Sequence, residues 1–410
     1  MTSIQPIEPS TAIIEQKKTP KQYAGMVLIA AGIVLAPMLI GAAGGNYWVR
    51  VLDFAMLYVM LALGLNIVVG FAGLLDLGYI AFYAVGAYIA ALLSSPHLTT
   101  QFAWIGAMFP NGLHLSIWLI VPLAMAVAAL FGVLLGAPTL RLRGDYLAIV
   151  TLGFGEIVRL FMNNLDRPVN ITNGPKGITG VDPVTIGGYN FSQTHSFFGL
   201  SLPSVYMYYY LFVLCALFVI FVSVRLQHSR IGRAWAAIRE DEIAAKAMGI
   251  NTRNMKLLAF GMGASFGGVS GAMFAAFQGF VSPESFSLME SVMIVAMVVL
   301  GGIGHLPGVI LGAVLLAALP EVLRYVAGPL QSLTDGRLDA SILRQLFIAL
   351  AMIIIMLVRP RGLWPSPEHG KSLARRGMAP ASGMPAAAPG IDVPSDELPG
   401  AASRPMSINP

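Results

Sequence analysis

Few residues in this 410-residue sequence could do chemistry, and the strongest candidates are acids in apolar surroundings. Asp76 and Glu156 stand inside long apolar runs, with Asn66 and Tyr79 as polar neighbours of the first. An unpaired charge at mid-bilayer costs about 2.5–3.5 kcal/mol on insertion scales, so an acid kept there is a candidate for lining a solute pathway. Each also has a plainer reading. Asp76 is equally suited to capping a turn at an interface. Arg159 follows Glu156 by one helical turn, a spacing at which the two neutralise each other. His305 lies in Gly301-Gly-Ile-Gly-His-Leu-Pro-Gly308, where a turn residue explains it better than a ligand or proton relay. Cys215 is the only cysteine, which excludes an internal disulfide and a cysteine metal cluster. Within Leu211–Val222 it reads as a small apolar filler. No His-Glu-x-x-His run occurs, and no acids are spaced for hydrolysis, so neither catalytic residues, a metal site nor a cofactor is expected. Gly261-Met-Gly263, with Gly267, Gly268 and Gly271, superficially matches a dinucleotide fingerprint but lies in an apolar run with no preceding strand. Small residues every three or four positions instead let helices approach closely in lipid.

The elements that must position these residues follow from composition. Hydrophobic residues make up 56% of the chain and charged ones only 11%. A soluble protein covers its surface with about a quarter charged residues, so lipid is the solvent here. Crossing a hydrocarbon core takes roughly 20 apolar residues in a helix. Such runs are Gly25–Ala43, Val51–Phe71, Leu75–Leu93, Ile117–Gly136, Tyr146–Met162, Val205–Val224, Leu257–Val281 and Ile342–Val358. Two shorter ones, Leu288–Gly302 and Leu306–Pro320, flank the glycine-rich break. Gly70, Gly73 and Gly78 around Asp76 are also compatible with a broken or re-entrant segment, which membranes tolerate where it lines a cavity.

Ten spans and a cytoplasmic amino terminus place 18 of the 25 Lys and Arg on the cytoplasmic side and six outside, with Arg159 inside a span. That is the bias of the positive-inside rule. Merging the two short runs would put Arg359 and its neighbours outside, against the rule. The net charge of +5 is therefore a topology signal with attraction to anionic membrane lipid, and nucleic acid is not an expected partner. Residues 1–24 are polar and too acidic for a signal peptide, and read as an uncleaved cytoplasmic tail. Residues 365–410 are rich in Pro, Ala, Gly and Ser without apolar periodicity, and are expected to be a disordered cytoplasmic tail. Between them, 25–364 forms the membrane domain.

The most informative polar segment is the loop 225–256. Asp241-Glu-Ile-Ala-Ala-Lys-Ala-Met248 reads as a short helix with acids in its first turn, ended by Gly249. Its small residues suit docking in another protein's groove. By physics alone, lying flat on the bilayer suits it as well. The run resembles the EAA-type coupling loop of ABC importer permeases. Leu63-Gly-Leu-Asn-Ile-Val-Val-Gly-Phe-Ala-Gly-Leu-Leu-Asp76 and its continuation to Tyr88 resemble branched-chain amino acid permeases of the LivM type. So do Leu140-Arg-Leu-Arg-Gly-Asp-Tyr146, continuing to Arg159, and Gly301–Gly308. The resemblance covers about Val51 to Trp364. It implies an all-α integral membrane protein of about ten helices, an ABC importer permease bundle in the bacterial inner membrane with both termini cytoplasmic. It also implies two cytoplasmic ABC ATPase subunits, a second related permease subunit and a periplasmic substrate-binding protein. Arg239, Glu242, Ala244, Ala245 and Gly249 would contact the ATPase, and leucine, isoleucine and valine would be the cargo. Urea or short amides are the nearest rival substrates. An ion-driven secondary transporter is a more distant alternative, since no inverted repeat is evident. The chain lacks a Gly-x-x-x-x-Gly-Lys-Ser/Thr loop, so any ATPase must act from a separate chain.

Overall fold

A computed structural model describes residues 20–364 except 111, 141, 143, 198–199, 334–344, 347–348, 351–352, 355–356 and 359–361. The helices are α1 Pro20–Gly44, α2 Asn46–Asn66, α3 Ile80–Ser94, α4 His97–Gln101, α5 Ala103–Met108, α6 Ile117–Thr139 and α7 Asp145–Asn164. They continue as α8 Ser204–Gln227, α9 Arg230–Glu240, α10 Glu242–Ala247, α11 Thr252–Gln278, α12 Leu288–Gly301 and α13 Leu306–Leu333. A π-turn, Ile67–Phe71, prolongs α2.

The architecture is that of an all-α membrane bundle. Five described helices are long and apolar enough to cross a bilayer: α2 with its π-turn, α6, α8, α11 and α13 up to Arg324. Residues 31–42, α3 and α12 are apolar but shorter. α7 has 20 residues but carries Asp145, Glu156 and Arg159, and falls outside both groups. Of the expected last span, Ile342–Val358, only 345–346, 349–350, 353–354 and 357–358 are described, all helical. The set is consistent with about ten passes.

Burial sorts the bundle into a centre and a rim. Of the apolar window of α2, 83% is buried, and of α11, 78%, against 28% for α6 and 39% for α8. α11 packs against α6, α3 and α2, while α2 also meets α8, α12 and α13. A chain rich in Gly and Ala can be central because small side chains bring neighbouring backbones close enough for dispersion to act. α6 and α8 instead carry large apolar residues outward, among them Trp118, Leu130, Phe218 and Phe221. That is the pattern of a lipid-facing rim.

Among the described residues, strands occur only as short antiparallel ladders in loops, which sequence periodicity did not reveal. They are β1 Ile178–Thr179 with β6 Phe280–Val281, β2 Thr185–Ile186 with β3 Tyr189–Asn190, and β4 His195–Phe197 with β5 Leu200–Leu202. The β1–β6 pair ties the loop after α7 to the residues after α11, so those loops share one end of the bundle. His114 and Asp182 add the residues before α6 to that end, 2.5 Å apart. The opposite end gathers α9, the π-turn, the α12–α13 break and residues 363–364, as the contacts below show.

Some expected boundaries differ. The span expected at Leu75–Leu93 begins only at Ile80, because 72–79 is irregular and packs as a re-entrant segment. Hydropathy is the same for either conformation. α13 passes its expected end at Pro320 and runs to Leu333; neighbouring helices make Pro tolerable in membrane helices. α1 takes Pro20–Ala24 from the expected amino-terminal tail. Residues 1–19 and 365–410, the remainder of the two expected tails, lie outside the described residues.

Candidate coupling site

The loop after α8 is built as a self-locking unit. Ser229 caps α9, its hydroxyl accepting the Gly232 N–H at 3.2 Å. Gly232, Trp235 and Ile238 recur every three residues and form the buried face of α9. Trp235 is fully buried, and its indole N–H donates to the Met255 carbonyl at 2.7 Å, fixing α9 on α11. Asp241 then breaks the helix and caps the next, its Oδ1 accepting the N–H of Ile243 (2.7 Å) and of Ala244 (3.1 Å). The expected helix, Asp241–Met248, is observed as α10, with Asp241 and Met248 as its caps. Its far end is a Schellman motif. The Ile250 N–H reaches the Ala245 carbonyl and the Gly249 N–H reaches that of Lys246, both at 3.0 Å. Gly249 sits at φ +83°, a conformation that disfavours any side chain.

Glu242 seats α10. Its carboxylate lies 2.8 Å from Lys256 Nζ on α11 and 3.5 Å from Lys246 one turn on, and accepts the Thr252 hydroxyl at 3.3 Å. Partial burial by itself raises the Glu242 pKa, but Lys256 and then Lys246 outweigh it and hold the carboxyl below its ordinary value. A depressed carboxylate stabilises the fold above its unfolded-state pKa, and that contribution is lost only as pH falls through the folded-state value. At neutral pH the clamp is fully formed. Between α10, the start of α11 and the end of α6 lies a groove of about 320 Å³ lined by Lys246, Arg253 and Lys256 with Ala137 and Leu140.

The expected coupling residues do not all face the same way. Ala245 is 2% exposed and points into the angle between α9 and α11. Ala244, Ala247 and Gly249 are exposed. Sequence reasoning passed over Ile243 and Met248, which are 71% and 84% exposed and give α10 an apolar outer face. The signal was present: two large apolar residues flanking alanines in a helix too short to bury them all.

Arg239, expected with this group, is exposed and bonded to the π-turn. Its Nη1 donates to the Gly70 carbonyl in the π-turn at 2.5 Å. On the other side of that turn, Asn66 Oδ1 accepts the Gly304 N–H at 2.9 Å, from the break between α12 and α13. The Leu363 and Trp364 N–H groups donate to the carbonyls of Leu300 and Gly301. α2, α9, the break and residues 363–364 thus meet at one end of the bundle.

The expected pathway residues are spread over three environments. Asn66 is fully buried, its Nδ2 without a hydrogen-bond partner. Asp76 is 1% exposed in the re-entrant segment, where its Oδ1 accepts the Gly78 N–H at 2.9 Å. The same segment is satisfied from both sides at Leu77, whose N–H is taken by the Thr151 hydroxyl (3.1 Å) and whose carbonyl receives the Ser291 hydroxyl (2.5 Å). Irregular backbone at membrane depth requires such partners. The space beside Asp76, bounded by Thr151, Phe154 and Phe260, is about 10 Å³, room for about one water. Tyr79 is fully buried and donates to the Gly263 carbonyl at 2.8 Å, joining the start of α3 to α11. Glu156 alone reaches a surface. It pairs with Arg159, whose Nε lies 3.1 Å from both carboxylate oxygens and whose Nη2 lies 2.5 Å from Oε1. Among the described residues no group of three His, Cys, Asp or Glu side chains is placed to hold a metal ion.

Comparison with known proteins places this geometry in a family. Residues 47–357 match the model of branched-chain amino acid transport system permease components. The high-affinity branched-chain amino acid transport system permease protein LivM of Escherichia coli strain K12 is 41% identical over 360 residues, covering 85% of this chain and 76% of its own length. LivH of Salmonella typhimurium is 24% identical over 318 residues, 77% of this chain and 93% of that protein. BraD of Pseudomonas aeruginosa is 26% identical over 316 residues, again 77% and 93%. No solved structure gives a significant match. The matched region holds the π-turn, the loop that carries α9 and α10, and the glycine-rich break, and the chain belongs to the family of branched-chain amino acid ABC transporter permeases, in its LivM type.

Proposed function

We propose that this chain is one of two permease subunits of an ATP-driven importer for leucine, isoleucine and valine in a bacterial inner membrane. Two cytoplasmic ABC ATPase subunits drive it, a second related permease completes the pathway, and a periplasmic binding protein delivers the amino acid. The chain itself is a transport subunit without an enzymatic step. The observation that carries this reading is α10. It is capped at both ends, clamped to α11 by Glu242–Lys256, and presents Ile243 and Met248 outward, so it can transmit a push without bending. The cargo follows from the named substrates of LivM and LivH, whose relatedness covers most of the chain. Asn66, Asp76, Tyr79 and Glu156 are proposed to belong to the pathway and the elements that open it. The space beside Asp76 is too small for an amino acid, so on this reading the structure is a closed state.

Uptake by the assembled complex in proteoliposomes tests the proposal. Labelled leucine should enter only with binding protein and ATP, and isoleucine and valine should compete. Import of urea or a short amide without leucine would point to the rival substrates. Leucine uptake that persists without ATP and collapses with an ionophore would point to ion-driven transport.

Orientation has its own test. The cation bias puts α10 in the cytoplasm, and Ile243 is its most accessible convenient position. In a Cys215→Ser background, Ile243→Cys should react with an impermeant thiol reagent in inside-out vesicles and stay unlabelled in intact cells. Labelling from outside would invert the topology.

A further inference from the structure

We propose that Arg239 is a positioning residue that makes the coupling loop, the π-turn of α2 and the α12–α13 break move as one piece. This rests on the reading of α10 as the ATPase contact and goes beyond it, because the directed contact of Arg239 is to the π-turn and not through α10. The π-turn places the Gly70 carbonyl where a side chain must satisfy it, and the Arg239 guanidinium does so through a charge-assisted hydrogen bond. Among the described residues Arg239 has no carboxylate partner, so its directed contact is to backbone. A Cβ on Gly304 would lie 2.8 Å from the same guanidinium, and one on Gly73 would lie 2.9 Å from the Arg239 Cγ. The side chain therefore threads between the turn and the break. Asn66, one residue before the π-turn, closes the other side by accepting the Gly304 N–H. Arg239 is two residues from Asp241, the cap of α10. A displacement of α10 carried through α9 thus reaches the largely buried α2 through one directed side-chain bond, beside the route that Glu242–Lys256 makes to α11.

The experiment uses the full complex in a Cys215→Ser background, with spin labels at Ile243→Cys on α10, where the apolar label replaces the isoleucine surface and ATPase retention is verified first, and at Ile303→Cys in the break, both exposed. If Arg239 joins the two, the 243–303 distance stays constant when a non-hydrolysable ATP analogue closes the ATPases. With Arg239→Gln it should change on closure, and Arg239→Lys should be intermediate. In parallel, Arg239→Gln should keep ATPase co-purification and hydrolysis within about twofold while leucine uptake falls at least tenfold. Gly304→Ala, which displaces the guanidinium from the other side, should give the same split should Arg239→Gln assemble poorly. A 243–303 distance that already changes in the parent complex overturns the proposal. So does parallel loss of hydrolysis and uptake in both variants, which would make Arg239 a docking residue, and so does unchanged uptake in Arg239→Gln. If the parent complex keeps the distance fixed but imports no leucine, the substrate assignment fails and the role of Arg239 stands.

Discussion

Replacing Ala245 by Glu is expected to abolish ATP-driven uptake while the chain still inserts in the membrane. The reason is the direction in which Ala245 faces. At 2% exposure it fills the angle between α9 and α11, so the new carboxylate is forced into the seat of α10. Removing a charge from water costs several kcal/mol when no partner compensates. α10 has only six residues, and a helix that short has no stability of its own outside tertiary packing. The least costly response is for α10 to leave its seat, breaking the Glu242–Lys256 clamp and the Schellman motif. Gly249→Val should do less. Open space surrounds its Cβ, so the penalty is the backbone strain of a β-branched residue at φ +83°, about 1–2 kcal/mol. Ile243→Ser should do something different. It removes apolar surface from the exposed face and should weaken ATPase co-purification without lowering the melting temperature of the isolated subunit. Uptake, co-purification and thermal stability at matched membrane levels separate the three. Normal uptake and partner binding in Ala245→Glu would remove α10 from the coupling path.

The order of these effects was only half legible in the sequence. The caps of α10 could be read from Asp241 and Gly249, because each acts on its own backbone within a few residues. Which alanine faces inward could not, since that depends on where α11 lies. The same division runs through the fold. α2, α6, α8 and α11 lie within a few residues of their apolar runs, because burial in lipid is a property of a continuous segment. The re-entrant stretch at 72–79 has the same hydropathy as a helix, and only the glycines at 70, 73 and 78 hinted at it. The meeting of Arg239 with Gly70 and of Asn66 with Gly304 spans separations of 169 and 238 residues. No local period encodes such contacts. Asn66 and Arg239 were read as a pathway group and an ATPase contact, and the structure joins both to one turn of α2.

Replacing Gly271 by Leu is expected to prevent the bundle from forming, the largest structural effect of any single change considered. α3 and α11 approach so closely that a Cβ on Gly271 would collide with the Tyr83 carbonyl and the Ala87 nitrogen of α3. Gly86 faces Gly268 in the same crossing, and a Cβ on Gly268 would meet Ala124 and Ala128 of α6. These obstacles are backbone atoms and the Ala128 Cβ, none of which can rotate away. Overpacking of a dense core costs about 1–3 kcal/mol and more where the backbone must shift. The bilayer adds a second penalty. Lipid tails are as apolar as the side chains, so helix association there rests on close packing. Once a large side chain holds α3 away from α11, no hydrophobic force draws them back. The Tyr79–Gly263 hydrogen bond and the aromatic contact of Phe274 with Tyr83 span the same seam and would open with it. Folded protein, measured as the monodisperse fraction after detergent extraction, should fall to a minor part of the parent's, the outcome expected once backbone strain and lost helix association together exceed the few kcal/mol by which such a fold is stable. Gly261→Ala supplies the contrast. Its Cβ would meet mainly the Val133 Cγ2 at 3.1 Å, the end of a side chain that can adjust. That variant should extract and transport as the parent does. If Gly271→Leu does the same, α3 and α11 are not in backbone contact and the centre of the bundle is packed differently.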